Sequence, residues 1–392
     1  MTATETSVDV AVIGGGIVGS CVACFLRSAA AAPSVAVIEP DPGYEFASTL
    51  RASGGCRVQF SCPENIEMSK FGIDFIRTFA ERMSLPDAPA HADWVEGGYL
   101  FIVPPEHLAG LQANVRVQRA HGCTVDLLTP SELAERFPTM HVADLGGGAH
   151  TPHDGWCDPH GLLAGVRRKA IALGTTAVRD RVVGAECDPH RVRRLRLESG
   201  ATIRPSIVVN AAGAWAGDVA ALYGMRLPVV PLKRYEHYFT AGGPVGRLPY
   251  VKDTARLAFR SEGVGYSGGL VDSDARRGYD FAVDHDYFER VVWPALAHRF
   301  PGFEAARCHR TWSGLYEQCE LDGNPVIGRW TRGLANVCTV AGFSGHGMMH
   351  APAAGRAIAE LIVHGEYRSI DLTRLGYERV EANAPYAEAG IL

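Results

Sequence analysis

Hydrophobic residues near the start of the chain lie in continuous runs, and the first of these, residues 8–13, is almost wholly apolar. Such a run is typical of a strand that is buried on both faces of a parallel sheet. A helix-forming run over Ile17–Ser28 follows at once, and a second β-rich run over Val35–Ile38 ends on Glu39. The order strand, helix, strand predicts a βαβ unit at the N-terminus.

Three consecutive glycines, 14–16, separate the first strand from the helix, and together with Gly19 inside the helix they give a G-x-G-x-x-G motif at Gly14, Gly16 and Gly19. The first allows a tight turn, the second lets a diphosphate approach the backbone, and the third lets the helix pack closely on the strand. Glu39, about 20 residues further on, can accept hydrogen bonds from ribose hydroxyls. The pattern predicts a dinucleotide site, and its acidic residue argues against a 2′-phosphate and hence against NADP.

The start of the helix, at Ile17 and Val18, offers free N–H groups and the positive end of the helix dipole to the phosphates. NAD and FAD sites share this feature, so the motif alone does not separate the two cofactors. Three later segments bear on the choice: residues 47–60, rich in Ser, Thr, Gly and Arg; residues 206–218, where a strand ends in small residues; and residues 336–350, where a strand runs through glycines into a helix.

Composition places the chain among globular proteins of two domains, because 392 residues with 47% hydrophobic and 21% charged side chains can bury a sizeable core. A net charge of -5 gives no reason to expect a nucleic acid or an anionic membrane as partner. The N-terminus lacks the features of a signal peptide, and no apolar run is long enough to span a bilayer. The ten cysteines are scattered, and Cys21 and Cys24 are interpreted as small buried helix residues. We therefore expect a cytoplasmic protein.

The three later segments resemble the D-amino acid oxidase superfamily of FAD enzymes, which includes glycine oxidase, sarcosine oxidase and dimethylglycine dehydrogenase. The resemblance spans nearly the whole chain. It is closest to the FAD-dependent oxidoreductase domain-containing proteins of the complex I assembly type and their bacterial relatives, through residues 54–71 and 98–122. Residues 341–347, AGFSGHG, are similar to the sarcosine oxidase side of the superfamily.

The resemblance implies an α/β fold with two domains. A Rossmann-like FAD-binding domain, with a parallel sheet and helices, is expected from residues 1–80, 145–225 and 325–392. An α+β substrate domain is expected from residues 81–144 and 226–324, where strand-like runs at 235–241, 256–262 and 263–271 predict an antiparallel sheet over the flavin. In the first insertion, residues 129–138 are predicted as a short helix with Ser131 as its N-cap.

The resemblance also implies roles for individual residues around FAD. Besides the first glycine motif and Glu39, the positions expected along the cofactor are Ser48, Thr49 and Arg57 at the diphosphate and flavin, Val182 at the adenine, Ala212 and Gly213 close to the cofactor, and Gly345, His346, Gly347 and Met348 at the pyrimidine end of the flavin. Backbone N–H groups at that end would stabilise the negative charge of the reduced ring. Candidate catalytic or pocket residues are His346, Arg51, Tyr238, Tyr250 and Tyr266.

Several positions depart from the sarcosine oxidase pattern. Gly314 stands where those enzymes link FAD through a cysteine, so non-covalent FAD is predicted. Tyr266 stands where they have a lysine for the reaction with oxygen, and the electron acceptor is left as oxygen or another carrier. Met349 and Phe60 stand where basic residues would hold a carboxylate. The candidates for a replacement are Arg234, His237 and Arg260, with a substrate other than a simple N-methyl amino acid as the alternative.

The resemblance implies that the protein oxidises the C–N bond of a small amine or amino acid by hydride transfer to the flavin, giving an imine that hydrolyses. The alternative is a flavoprotein whose FAD is structural and whose role is binding or assembly. A nicotinamide-dependent enzyme would have no need of the segments at 54–60 and 341–347. No metal is expected: residues 150–161 contain three histidines and two aspartates, but Asp158 and Pro159 are interpreted as the start of a helix.

Overall fold

The computed structural model describes residues 5–253, 256–270, 272, 275, 277–331 and 333–389. Its strands, in chain order, are β1 (Glu5–Ile13), β2 (Val35–Ile38), β3 (Gly55–Cys56), β4 (Tyr99–Val103), β5 (Asp126–Leu128), β6 (Gly147–Thr151), β7 (Gly155–Trp156), β8 (Thr176–Val178), β9 (Val182–Cys187), β10 (Val192–Leu197), β11 (Thr202–Asn210), β12 (Val229–Thr240), β13 (Tyr250–Asp253), β14 (Leu257–Glu262), β15 (Gly265–Leu270), β16 (Arg307–Cys319), β17 (Val326–Arg329) and β18 (Val337–Ala341).

In total, the α-helices contain slightly fewer residues than the strands, and most of them lie beside the first sheet. They are α1 (Ile17–Ser28), α2 (Pro63–Arg77), α3 (Phe79–Met83), α4 (Leu108–Ala120), α5 (Pro130–Arg136), α6 (Pro159–Ala172), α7 (Ala216–Ala221), α8 (Trp293–Arg299), α9 (Gly347–His364) and α10 (Glu378–Glu381). Across the described residues, no helix combines the length and the apolar character that crossing a bilayer requires.

The first sheet has the order β17-β18-β11-β1-β2-β8, and β11, β1, β2, β8 and β18 pair in parallel. Their carboxyl ends therefore lie at one edge. This edge gathers the segments that come directly after the strands: the first glycine motif after β1, Glu39 after β2, the small residues after β11 and the glycine-rich loop after β18. The parallel topology explains why segments more than 300 residues apart meet at one site.

The helices on this sheet pack closely because small residues face each other. Gly355 of α9 lies so near α1 that a Cβ there would be 2.6 Å from Cys21 Cβ. Cys21 and Cys24 are both buried in α1, and burial raises the pKa of each thiol. They are packing residues, as the sequence predicted.

The second sheet has the order β16-β12-β15-β14-β13-β4-β6-β5, and every pair is antiparallel except β13 with β4. Strands from both insertions form it. The runs predicted at 235–241 and 256–262 overlap β12 and β14, but β12 begins six residues earlier than expected, at Val229; of the run at 263–271, Val271 lies outside the described residues. One predicted boundary is wrong, because β6 (Gly147–Thr151) falls in the range expected for the cofactor domain but pairs with β4 and β5. One face of this sheet packs against an aromatic core that contains Phe239, Phe259 and Phe303.

Two helix starts test the capping predictions. At α6, Asp158 is the N-cap and accepts hydrogen bonds from the backbone N–H groups of His160 and Gly161, as predicted. At α5, the predicted cap Ser131 is wrong. Thr129 is the N-cap, and it forms a capping box with Glu132. Pro130 then occupies the first helical position, where its missing N–H costs nothing.

Candidate active site

A large cavity of about 1010 Å³ lies between the carboxyl edge of the first sheet and one face of the second. The first sheet and α1 form its floor at one end, and β12–β16 form a roof at the other. Its depth and mixed lining are those of a small-molecule site rather than a surface groove.

The floor begins with a cradle at the start of α1. Gly14 has a φ of +99°, and a Cβ there would lie 2.4 Å from the carbonyl oxygen of Ala211, so only glycine fits. A Cβ on Gly19 would lie 2.0 Å from the carbonyl oxygen of Gly14, which shows how tightly helix and strand pack. Gly16, by contrast, lines the cavity itself. The Thr49 hydroxyl accepts a hydrogen bond from the Ile17 N–H (3.2 Å) and so joins the loop 47–60 to this helix end.

Glu39 lies at the end of β2 and is fixed by the backbone. Its two oxygens accept hydrogen bonds from the N–H groups of Gly15 (2.9 Å) and Asp41 (3.0 Å). Burial raises its pKa, and these two bonds oppose the rise. Each oxygen keeps a further lone pair that can accept from a hydroxyl group in the cavity.

The structure brings together nearly all of the residues predicted along the cofactor. The following line the same cavity: Gly14, Gly16, Ile17, Val18, Glu39, Ser48, Thr49, Arg57, Val182, Ala212, Gly213, Gly345, His346, Gly347 and Met348. Gly19 does not line it, because it is pressed against the backbone of Gly14; its role is in packing.

The second helix end at the cavity is the start of α9, with His346 as its N-cap. No acidic residue lies in the first turn itself, but the buried Glu317 carboxyl lies beside it, since a Cβ built on Gly347 would be 3.3 Å from Glu317 Oε1. The His346 ring packs edge-on against Phe60, with ring centroids 5.0 Å apart. Burial and the nearby charge of Arg57 hold its pKa well below the usual range, so this ring is neutral.

The strand register shows which residues lie side by side in the roof. Lys252 on β13 pairs with Ala258, Ala258 pairs with Gly269, and His237 pairs with Gly268. Glu236, one residue before His237, therefore lies beside Gly269. Lys252, Ala258, Gly269 and Glu236 all line the cavity, whereas the adjacent residues His237 and Phe259 do not. Ala258 and Gly269 have almost no side chain, so a space is left in the roof between Lys252 and Glu236.

Three basic side chains border the inner end of the cavity. Arg57 is buried, and its guanidinium lies 3.9 Å from the centroid of the Phe60 ring and 5.1 Å from that of Phe101. Lys252 lies 5.6 Å from the same Phe101 centroid, and burial together with Arg57 and Arg234 holds its pKa well below 10.5. Arg234 lies over Tyr316 at 5.0 Å, and burial lowers its pKa.

Acidic and phenolic groups complete this chamber. Burial raises the pKa of Glu236 to about 7, although it accepts a hydrogen bond from the Ser267 hydroxyl (2.7 Å). Tyr250 stacks on Tyr99, with centroids 4.4 Å apart, and its hydroxyl lies 3.0 Å from that of Ser53. A carboxyl group that titrates near neutral pH inside a cavity is a candidate for proton transfer.

Two predicted pocket tyrosines do not reach the cavity. Tyr266 pairs with Phe239 on the opposite face of the roof and packs against Phe303, with centroids 4.9 Å apart. Tyr238 lies two residues beyond Glu236 and contacts His309 instead. Neither is among the residues that line the cavity, so their assignment as pocket residues is corrected.

Of the three basic residues considered as a carboxylate clamp, only Arg234 lines the cavity. His237 lies on the other face of its strand and hydrogen-bonds Thr311 through Nδ1. Arg260 donates to the Ser53 carbonyl and pairs with Glu262. Arg51 does line the cavity, but it donates to the backbone carbonyls of Glu45 and Ser313, which gives it a part in holding the loop 47–60 to β16.

Sequence reasoning missed Lys252, Glu236, Tyr99 and Tyr316, all of which line the cavity. One indication was present in the sequence for Lys252. The chain has only four lysines, and this one lies in the short apolar run at 248–252. A lysine in such a run is unusual enough to suggest a site.

Metal binding finds little support among the described residues. The histidines and aspartates of 150–161 are dispersed, with Asp154 bonded to Thr151 and Val58 and Asp158 used as a helix cap. In the part of the chain that the structure describes, the one group close enough to share an ion is His141, Asp144 and His298 at the surface. There Arg299 already pairs with Asp144 and holds its pKa far below the usual range.

A glycine cradle at the end of one strand, an acid at the end of the next and a glycine-rich helix start under an antiparallel roof define a dinucleotide-dependent oxidoreductase. The family model of FAD dependent oxidoreductases, DAO, matches residues 9–361. The chain belongs to this family and is an FAD-dependent oxidoreductase.

Similar proteins agree with this assignment. FAD-dependent oxidoreductase domain-containing protein 1 of Xenopus laevis is 35% identical, over 98% of this chain and 85% of that protein. Mitochondrial sarcosine dehydrogenase of Homo sapiens is 28% identical over 70% of this chain and 31% of that protein. The crystal structure of L-proline dehydrogenase from P. horikoshii superposes with a TM-score of 0.85 at 27% identity, over 98% of this chain and 100% of that one.

The residues present fit FAD. Gly14 and Gly16 both line the cavity; only glycine fits at Gly14, a Cβ on Gly16 would meet only Thr49 Oγ1 at 3.4 Å, and Gly213 (φ +55°) has no atom within 4 Å of a Cβ built on it. The cavity continues from this cradle to the start of α9, which gives it the two ends that an extended dinucleotide needs. The residues that would hold the two ends are those around α1 and those around α9.

Proposed function

We propose that this protein oxidises the C–N bond of a small amine or N-alkyl amino acid. The family membership supports an oxidation, and the names of two similar proteins, sarcosine dehydrogenase and L-proline dehydrogenase, are those of enzymes for secondary amino acids. The observation that carries the proposal is the roof chamber, where Glu236 and three basic side chains surround a space next to the start of α9. An amino acid has the two groups that such a chamber would recognise, an ammonium and a carboxylate.

Each group of residues in the chamber has a separate role in the proposed reaction. When bound, FAD accepts the hydride equivalent from the carbon next to nitrogen. Glu236 takes a proton from the substrate ammonium, because only the neutral amine has the lone pair that forms the C=N bond as the hydride leaves. The basic residues hold the carboxylate and fix the position of the reacting carbon. The N–H groups at the start of α9 stabilise negative charge that develops in the reaction. Water then adds to the C=N bond and releases an amine and a carbonyl compound.

We further propose that the FAD is bound without a covalent link. No cysteine is among the cavity-lining residues in the described part of the chain, and at the position in question a Cβ on Gly314 would already lie 3.0 Å from Arg51 Cβ. Cys319, nearby in sequence, is buried and contacts Asp322.

Anaerobic mixing with a panel of secondary amines and N-alkyl amino acids tests the proposed function. Reduction of the flavin, followed by detection of a stoichiometric carbonyl product, is the expected result. If no member of a broad panel reduces the flavin, while dithionite does, the proposal of amine oxidation is wrong and a structural FAD gains support.

A further inference from the structure

We propose that the substrate is a small secondary amine with two carboxylates, such as an N-alkyl amino dicarboxylic acid or an N-carboxyalkyl amino acid. This inference rests on the proposed function and adds the charge of the substrate to it. It comes from the number, position and pairing of the basic side chains in the roof chamber, Arg57, Arg234 and Lys252.

These three basic side chains, of which Arg57 is buried and Arg234 and Lys252 are half-buried, have few partners for a positive charge, although Arg57 donates a hydrogen bond to the Gln59 carbonyl. Within the described residues, none of them has a carboxylate within 4.0 Å. The Nε of Arg234 is buried with no hydrogen-bond partner among those residues, and its Nη1 reaches only two backbone carbonyls, each at 3.3 Å. Asp272 attracts Arg234 from the cavity rim, and Glu388 and Asp154 act on Arg57 at longer range.

Uncompensated charges in a shared cavity are costly, and an anion offsets that cost. The cluster also repels itself, since Arg57 and Arg234 both disfavour the charged form of Lys252. The diphosphate of FAD does not meet the roof cations Arg234 and Lys252, because its cradle lies at the start of α1, on the other sheet. Asp272 at the rim, Glu236 when ionised and the reduced flavin are other negative groups near the chamber, and a substrate anion is the one that enters it from solution.

The spacing of the roof cations favours two carboxylates over one. Lys252 is on β13 and Arg234 is on β12, and β14 and β15 lie between these strands. Three strand spacings place their backbones about 14 Å apart, on opposite sides of the chamber. Ala258 and Gly269 leave the roof open between them. A molecule with a carboxylate towards each side and an amine in the middle would fill this space and place the amine near Glu236.

Matched substrates that differ only in charge test the inference. We compare N-methyl-DL-glutamate with N-methyl-DL-glutamine, N-methyl-DL-aspartate with N-methyl-DL-asparagine, and iminodiacetate with its monoamide, each by anaerobic flavin reduction of the holoenzyme. The second-order reduction constant is expected to be at least about tenfold higher for the better dicarboxylates than for their amides, since a neutral amide leaves a buried cation unpaired. Equal constants within each pair would overturn the inference while leaving amine oxidation in place.

A binding measurement separates this inference from the proposed function. Diglycolate has the shape of iminodiacetate but no nitrogen to oxidise, and its monoamide is the matched control. We expect diglycolate to perturb the flavin spectrum with a Kd at least about tenfold lower than that of the monoamide. If no amine reduces the flavin but diglycolate binds selectively, the proposed function fails alone. Equal affinities for diglycolate and its monoamide refute a site for two carboxylates, whatever the reduction assay shows.

Variants of the roof residues test which side chains cause the preference for dicarboxylates. Arg234→Met and Lys252→Met keep side-chain length but remove charge, and each is expected to reduce the preference for the dicarboxylate to about threefold or less. Arg307→Met, an exposed change at the first residue of β16, is the control and should leave the preference intact. A preference that survives both cavity variants would contradict the assignment. Because the wild-type comparisons decide the question independently, a variant that fails to fold does not affect the test.

Discussion

Replacement of Glu236 by Gln is the sharpest test of the chamber, because it should stabilise the fold while it slows the reaction. Gln has nearly the same shape and can still accept a hydrogen bond from Ser267, but it carries no charge and cannot take up a proton. Burial raises the pKa of Glu236 from 4.5 to about 7. The native protein therefore holds this proton more tightly than the unfolded chain does.

The sign of the effect follows from proton linkage. Between pH 4.5 and about 7, the native state binds more protons than the unfolded state, so the free energy of unfolding falls as pH rises. One pKa unit corresponds to 1.36 kcal/mol, so ionisation of Glu236 costs at most roughly 3 kcal/mol above pH 7. The cost is absent below pH 4.5. The Glu236→Gln protein should thus match wild type at pH 4 and exceed its stability by up to about 3 kcal/mol at pH 8.

Urea unfolding of both proteins at pH 4 and pH 8, with FAD in fixed excess, tests this prediction. It measures how the difference in free energy of unfolding between variant and wild type changes with pH. Asp154 and Glu317 also have a pKa raised to about 7 by burial, but they are present in both proteins and cancel. Glu135→Gln, an exposed change on α5, controls for the loss of one negative charge. Flavin reduction by a good substrate should rise with pH through about 7 in wild type and lose this limb in Glu236→Gln. A stability difference that does not change with pH would refute the argument.

Two substitutions and one denaturation experiment give further expected outcomes. Gly14→Ala places a Cβ 2.4 Å from the Ala211 carbonyl oxygen and should abolish flavin absorbance in the purified protein, whereas Gly110→Ala, with no atom within 4 Å, should keep it. Tyr266→Phe should reduce flavin within about twofold of wild type because its ring faces the aromatic core, whereas a loss of about tenfold or more would return this tyrosine to the site. Acid denaturation should release all of the flavin into the supernatant, and yellow colour that stays in the pellet would disprove non-covalent binding.

The end of the cavity at α1 could be predicted from the sequence because its information is local. A strand, a glycine turn and a helix start determine by themselves where N–H groups point and how close a backbone can be approached, and Glu39 follows within the same βαβ unit. The same holds for residues 341–347, where the loop and the start of α9 are continuous in the chain. Parallel pairing of β1, β2, β11 and β18 then placed these local units at a single edge.

The substrate end was decided only by the tertiary structure. The sequence showed that 256–271 forms strands, but whether Tyr266 or Ser267 faces the cavity depends on which side of the sheet is covered by the aromatic core. A strand has a period of two, so the face that a side chain occupies depends on the register; the resemblance implied that Tyr266 lies near the flavin, and the structure places it against the aromatic core. Lys252 and Glu236 line the same cavity from strands that are separated by two others, and their distance in sequence does not indicate this arrangement. The environment that raises the pKa of one and lowers that of the other exists only once the roof has closed over the cavity.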